Sequence, residues 1–339
     1  MSRYPGGLIR KTPVTPAGPF QCGAATGVWT LAEASFWTKQ GLWPIAGTLV
    51  PTGTFAIFAL GCAGGSVTTR DKYTYSGCVV STGGAATVAS SFGAAAGNST
   101  VGIFALGFAP SSGSTTRDKY TYSGCVVGAG GAATVASYAG SAAGNSTVGI
   151  FALGSNSGGS AVTTRNKYTY SGCVVSAGGA ATAASRDGSA AGNSTVGIFA
   201  LGNVSFANST TRNKYTYSGC VVSAGGAATV ASLQGSAAGT GTVGIFALGY
   251  NCCSGAITTR NKYTYSGDVV ATGGAATVAS RLGSAAGNST IGIFALGVGA
   301  PTTRNKYTYS GCVVSAGGAA TVGSYGGSAA SNGTTGVNM

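Results

Sequence analysis

The sequence predicts an all-β protein: a six-bladed β-propeller closed by pairing of its N- and C-terminal strands, preceded by an extended segment with one short helix. Three observations predict it. First, six near-copies of a segment of about 47 residues run from Thr54 to the end of the 339-residue chain, a period that marks propellers, solenoids or arrays. The run IFALG starts at Ile57, Ile103, Ile150, Ile198, Ile245 and Ile293, and KYTYSG at Lys72, Lys119, Lys167, Lys214, Lys262 and Lys306. Second, each copy breaks into four short strand-like runs, which fits a blade; a β-solenoid, whose coil is shorter, ranks second. Third, the opening copy lacks the GSAAGNST run that precedes the others, while the chain ends in GSAASNGTTGVNM, residues 327–339. That tail resembles the missing piece, and lending it to the first blade would remove an open edge.

The second copy, residues 101–147, gives the expected elements in order. Val101 to Leu106 is apolar on both faces, the pattern of a strand covered on both sides. Thr115 to Tyr122 alternates, with Arg117, Lys119 and Thr121 to one side and Asp118, Tyr120 and Tyr122 to the other. Gly124 to Ala129 is Val-rich. Ala132 to Ala143 is a fourth strand of small residues ending at the Gly144-Asn145 turn. Ala and Gly suit crowded positions near an axis, and the paired tyrosines suit the wider space farther out. A buried aromatic side chain removes about 150–250 Å² from water, so the tyrosines read as inter-blade packing before they read as a ligand shelf. The repeat has no 3.6-residue period, which argues against helical repeats.

Residues 1–53 carry none of the repeat; residues 54–339 form the propeller domain. The first segment holds all three tryptophans, Trp29, Trp37 and Trp43. Pro5, Pro13, Pro16 and Pro19 make its start extended. Thr30 and Glu33 match a capping box, so a helix over about residues 31–40 follows, stopped by Gly41. So short a helix must dock on something. It either packs on its own ring, or Trp29, Phe36, Trp37 and Trp43 anchor it to another subunit.

Chemistry is in short supply. There is no histidine, and the acids are Glu33, Asp71, Asp118, Asp187 and Asp268. Imidazole-based metal sites, triads and general bases are therefore impossible, and no enzyme, cofactor or metal is expected. The opening MSRYPGGLIRKTPVTP has no apolar core of a secretory signal, and no run of about 18 apolar residues predicts a membrane span.

The formal charge of +13 is spaced by the repeat. It comes chiefly from the pairs Arg70/Lys72, Arg117/Lys119, Arg165/Lys167, Arg212/Lys214, Arg260/Lys262 and Arg304/Lys306. These read either as a basic ring for an anionic ligand or as a solvated outer face. A nucleic-acid partner is disfavoured, because the tyrosines alternate away from the charges.

Cys78, Cys125, Cys173, Cys220 and Cys312 hold one place in five copies, and Asp268 holds it in the other. A carboxylate there argues against a sealed apolar core. Sheet spacing of ~10 Å keeps these cysteines from pairing with each other. Free thiols are expected, with intersubunit disulfides the alternative. Asn-Ser-Thr at Asn98, Asn145, Asn193 and Asn288 reads as a turn rather than a glycosylation site.

The copies differ mainly in two places. One is the loop after IFALG, which carries Phe108, Phe206 and Tyr250; the other is the pair after VAS, such as Ser91-Phe92 and Arg186-Asp187. The loops are either a ligand face or neutral surface.

The order IFALG, loop, TTRNKYTYSG, GGAATVAS and AAGNST resembles the Kelch-like propeller repeats of tailed-bacteriophage proteins, over residues 54–339. The opening YPGGLIRKTPVTP with GVWTLAEASFWTKQGLWP is similar to N-terminal segments of phage virion proteins. The resemblance implies a non-enzymatic structural or appendage protein on the particle surface, attached to other virion proteins through the first segment. A glycan-binding module for host adhesion is the alternative, and homo-oligomerisation is compatible with either. No Trp follows residue 43, so the kinship to eukaryotic Kelch blades, which carry a Tyr and a Trp, is loose.

Overall fold

The computed structural model describes residues 35–36, 54–109 and 111–333. Contacts divide the chain into two units, Met1–Val50 and Pro51–Met339. Of the expected first helix, residues 35–36 are helical and Phe36 is exposed. The rest of that helix, with Trp29, Trp37 and Trp43, lies outside the described residues.

The described part of the second unit is all-β, with six four-stranded antiparallel sheets and three smaller sheets of two or three strands. The repeat explains each large sheet. In the second copy the order across the sheet is Ala94–Gly97, Val101–Ala105, Arg117–Thr121 and Val126–Ala129. Ile103 stands opposite Ala96 on one side and Lys119 on the other. The inner strand is small and wholly buried, and the outer one is largely exposed, with Val126 at 59%. The middle strands supply the core: Ile103, Phe104, Tyr120 and Tyr122 are all buried. Gly102 has no room for a side chain, since a Cβ there would lie 2.8 Å from the Tyr122 hydroxyl and 3.0 Å from Ala330 Cβ.

One expected element is corrected. Residues 132–143 are not a single strand. Residues 132–136 are irregular, Ser137–Tyr138 is a short strand, and Ser141–Gly144 is the inner strand of the next sheet, paired with Val148–Ala152. The break comes at Ala139, which has a positive φ of 53°. The last described strand, Ser328–Ser331, pairs with Phe55–Ala59 and stands where the inner strand stands in the other sheets.

The inner strands also touch one another. Ala94–Gly97 packs between Ser141–Gly144 and Ser328–Ser331; the contacts continue through Ser189–Gly192, Ser236–Gly239 and Ser284–Gly287 and return to Ser328–Ser331.

A second correction concerns the basic pairs. Their six arginines are at most 2% exposed, so they form neither a solvated face nor the ligand-facing half of a basic ring. Alternation turns each into the gap between sheets. The Arg117 guanidinium lies 4.7 Å over the Phe151 ring of the next sheet and donates to Asn166 Oδ1 at 2.9 Å. Arg165, Arg212 and Arg260 repeat this on Asn213, Asn261 and Asn305. Arg70 instead donates to Asp118 at 2.8 Å and Arg304 to Asp71 at 2.7 Å, with both partners of each pair fully buried.

Burial lowers the guanidinium of Arg117, Arg165, Arg212 and Arg260 to about 10. It also lowers Arg70 and Arg304, where the carboxylates oppose it. The partner lysines are half-buried, and Lys72 lies 4.3 Å over the Phe55 ring.

Candidate recognition face

The two variable segments, far apart within each copy, meet. The pair after VAS in one copy bonds to the loop after IFALG in the next. Ser91 and Phe108 exchange backbone hydrogen bonds of 3.0 and 2.7 Å. Ser137–Tyr138 pairs with Ser155–Asn156, and Ser185–Arg186 with Asn203–Val204. Leu233 bridges to Tyr250, Arg281 to Val298 and Tyr325 to Cys62. The regions where the repeat is free to differ therefore form one surface.

The second residue of each pair goes further. Ala139 N–H donates to the Phe92 carbonyl, Asp187 to Ala139, Gln234 to Asp187, Leu282 to Gln234, Gly326 to Leu282, and Phe92 to Gly326, at 2.7–2.9 Å. The series returns to its first residue. All six have positive φ, from 53° to 62°, which offers each N–H and carbonyl to opposite neighbours. Only Gly326 adopts that conformation without cost. The following glycines are obligatory: a Cβ on Gly93 would meet the Ala105 carbonyl oxygen at 2.3 Å.

The sequence does not reveal this hydrogen-bonded circuit, although five of its six residues, all but Gly326, belong to the variable pairs after VAS. The signal that could have found it is a variable residue followed by an invariant glycine in all six copies.

The side chains here are Phe92, Ala139, Asp187, Gln234 and Leu282, an apolar stretch interrupted by one acid and one amide. Burial raises the Asp187 carboxyl, opposed by the Arg186 guanidinium, whose Nε lies 3.8 Å from Asp187 Oδ2. Arg186 also donates to the Gly159 carbonyl at 3.3 Å.

The expected ligand-face aromatics lie on the loops. Phe108 packs edge-on against Tyr138 at 5.5 Å. Tyr250 sits under the Arg281 guanidinium at 4.9 Å. Phe206, at the tip between Asn203–Val204 and Ala207–Asn208, is 91% exposed. The surface offers aromatic faces, two guanidinium groups and backbone polar atoms, which recognise by stacking and hydrogen bonding. Among the described residues no group of three or more His, Cys, Asp or Glu could hold a metal ion.

The repeated cysteines lie elsewhere. Cys78, Cys125, Cys173, Cys220 and Cys312 are free, half-buried and at φ of 54° or 55°, each beside the hydroxyl of its sheet's first repeat tyrosine. Asp268 uses that place to accept from Tyr263 at 2.7 Å and from Lys214 of the preceding sheet at 3.0 Å. The Asn-Ser-Thr sequences form turns: Asn98 Oδ1 accepts from Thr100 N, Thr100 Oγ1 and Val101 N at 2.9–3.0 Å.

The architecture defines an all-β protein of propeller-like class. No protein-family model matches the chain, and no curated protein matches it. Among solved structures it is similar to one titled "Structure of YjhT", with a TM-score of 0.54 and 10% identity, covering 69% of this chain and 86% of that one. At that identity the likeness shows the fold alone.

Proposed function

We propose that this chain is a non-enzymatic appendage protein on the surface of a tailed-phage particle. Its six sheets are the blades of one propeller, closed where Ser328–Ser331 joins Phe55–Ala59. Residues 1–53 dock on other virion proteins through Trp29, Phe36, Trp37 and Trp43, and the ring displays the variable face. The observation that carries the reading is the separation of constant from variable. The invariant IFALG, the RDKYTY or RNKYTY and the SAAG-like runs build the buried strands of the large sheets, while the variable segments pair with one another from copy to copy. That is how a scaffold presents recognition loops.

The test is particle assembly with a chain lacking residues 1–50. The truncated protein folds and fails to join particles; normal incorporation overturns the docking assignment.

A second reading, a glycan-binding module for host adhesion, is favoured by the exposed Phe206 and by Arg281 stacked on Tyr250. Aromatic faces with adjacent guanidinium donors suit sugar rings and their acidic substituents. Glycan-array binding by residues 54–339, lost in Phe206→Ala and Tyr250→Ala, distinguishes it from a purely bracing role.

A further inference from the structure

On the variable face two nucleophiles stand side by side. Cys252 and Cys253 occupy the tip of the hairpin formed by Tyr250–Asn251 and Gly255–Ala256. Both are exposed, and their sulfurs lie 3.6 Å apart. No other copy has adjacent cysteines in this loop. The pair is thus not part of the repeating scaffold, unlike the five single cysteines beside tyrosine hydroxyls.

The turn that carries them is fixed. Asn251 Oδ1 accepts from Cys253 N at 2.9 Å, Ser254 N at 3.1 Å and Ser254 Oγ at 3.0 Å. Asn251 Nδ2 donates to the Ala231 carbonyl at 2.9 Å, and Asn208 Nδ2 to the Tyr250 carbonyl at 3.2 Å. A dithiol on so well-tied a turn pays little ordering entropy on capture.

We propose that Cys252 and Cys253 form a two-sulfur clamp for one soft, pyramidal, three-coordinate centre, of which a trivalent organoarsenical is the representative. The bite decides the class. With centre-to-sulfur bonds of about 2.3 Å, sulfurs 3.6 Å apart subtend about 100°. A linear two-coordinate ion would need them about 4.6 Å apart with bonds of that length. A closed tetrahedral zinc site takes four protein ligands. Among the described residues no third His, Cys, Asp or Glu joins the pair. A pyramidal centre is completed by two sulfurs and a group of its own, and thiolates are the ligands soft centres select. The step is an exchange without redox change. An arsonous acid, R–As(OH)₂, loses two As–O bonds and gains two As–S bonds. Each thiol proton leaves with a hydroxide, giving two waters.

The test uses the reduced full-length chain and phenylarsine oxide, read by intact mass and peptide mapping. One phenylarsenic group per chain is expected, mapped to the peptide holding Cys252 and Cys253. It survives excess monothiol and is removed by a small dithiol. Retention falls at least about tenfold in Cys252→Ser and in Cys253→Ser, because the second bond is intramolecular and gains from effective concentration. Both side chains are exposed, so the variants fold as the parent does. Equal retention in either single variant, or mapping to the scaffold cysteines, overturns the clamp. So does isolation of the pair as a disulfide that resists reductant. None of these outcomes bears on particle docking or glycan binding.

Discussion

Replacing Asp71 tests the packing argument most directly, because the chain contains its own control. Asp71 is fully buried and takes a 2.7 Å hydrogen bond from Arg304 as well as bonds from Thr321 N and Thr321 Oγ1. Asp71→Ala leaves the guanidinium with the Ala319 carbonyl at 3.2 Å as its remaining polar contact. Breaking a buried ion pair from one side costs about 3–5 kcal/mol, a large share of the 5–15 kcal/mol that holds a typical domain together. Asp71→Asn reproduces what four other interfaces already have. Asn166, for example, accepts from Arg117 and donates to Thr134 Oγ1 at 2.7 Å. The loss there is the difference between a charge-assisted and a neutral hydrogen bond, about 1 kcal/mol. Urea titration at neutral pH, followed by tyrosine fluorescence with slopes compared, should place Asn just below the parent and Ala far below both. Amide exchange should report the Ala variant's loss at Ser328–Ser331 first. If Ala and Asn cost the same, or Ala costs under about 1 kcal/mol, the arginines are passengers and the reasoning fails.

Three further outcomes follow from the same geometry. Burial raises all twelve repeat tyrosines, from Tyr73 and Tyr75 to Tyr307 and Tyr309, above their ordinary value. An acid raised in the folded state holds its proton longer there than in the unfolded chain. Stability is therefore complete below about pH 10 and lost as pH climbs above it; phenolate absorbance of these residues should appear together with unfolding, not before. Gly93→Ala drives a Cβ onto the Ala105 carbonyl at 2.3 Å and should cost about 1–3 kcal/mol by thermal melting, whereas Gly128→Ala, with nothing within 4 Å, should stay within about 0.5 kcal/mol. Asp268→Cys restores the repeat but removes the half-exposed Lys214 pair, so its cost should stay below about 1 kcal/mol and shrink further in high salt.

The sequence exposes the fold because the repeat states the same sheet six times. Period, run count and the displaced GSAAS tail need no tertiary knowledge, and small residues in the inner strand follow from crowding. The arginines depart from the sequence expectation for a physical reason. Charge on an alternating strand normally marks a solvated face, but a strand covered on both sides has none. The sign lies one residue on: each Arg of the six pairs is followed by Asp or Asn, an acceptor facing the opposite gap, ready for the arginine of the preceding sheet. The candidate recognition face is half legible. Its segments stand out as the places where copies disagree, yet their meeting depends on pairing between successive copies. The circuit through Phe92 and Ala139 depends on positive φ at residues with no compositional bias toward it.

The placement of the two acids also has an energetic logic. Five sheets close loops within one repeat length, but the sheet containing Phe55–Ala59 recruits a strand from the far end of the chain, with Phe55 N bonded to Asn332 across a separation of 277 residues. Loop-closure entropy grows as three-halves RT times the logarithm of length, so pairing Ile57 with Ala330 rather than closing a tight hairpin such as that pairing Ala96 with Ile103 costs an extra ~3 kcal/mol. Asp71 lies in this composite sheet and receives Arg304 from one neighbour; Arg70 lies in it and reaches Asp118 in the other. Both faces of the one sheet with the costly closure thus carry an ion pair where the remaining four interfaces carry a neutral amide. Two exchanges of amide for carboxylate, at about 1 kcal/mol each, offset a large part of the longer loop's cost. They also distinguish one interface set from another in a chain whose repeats are otherwise nearly interchangeable.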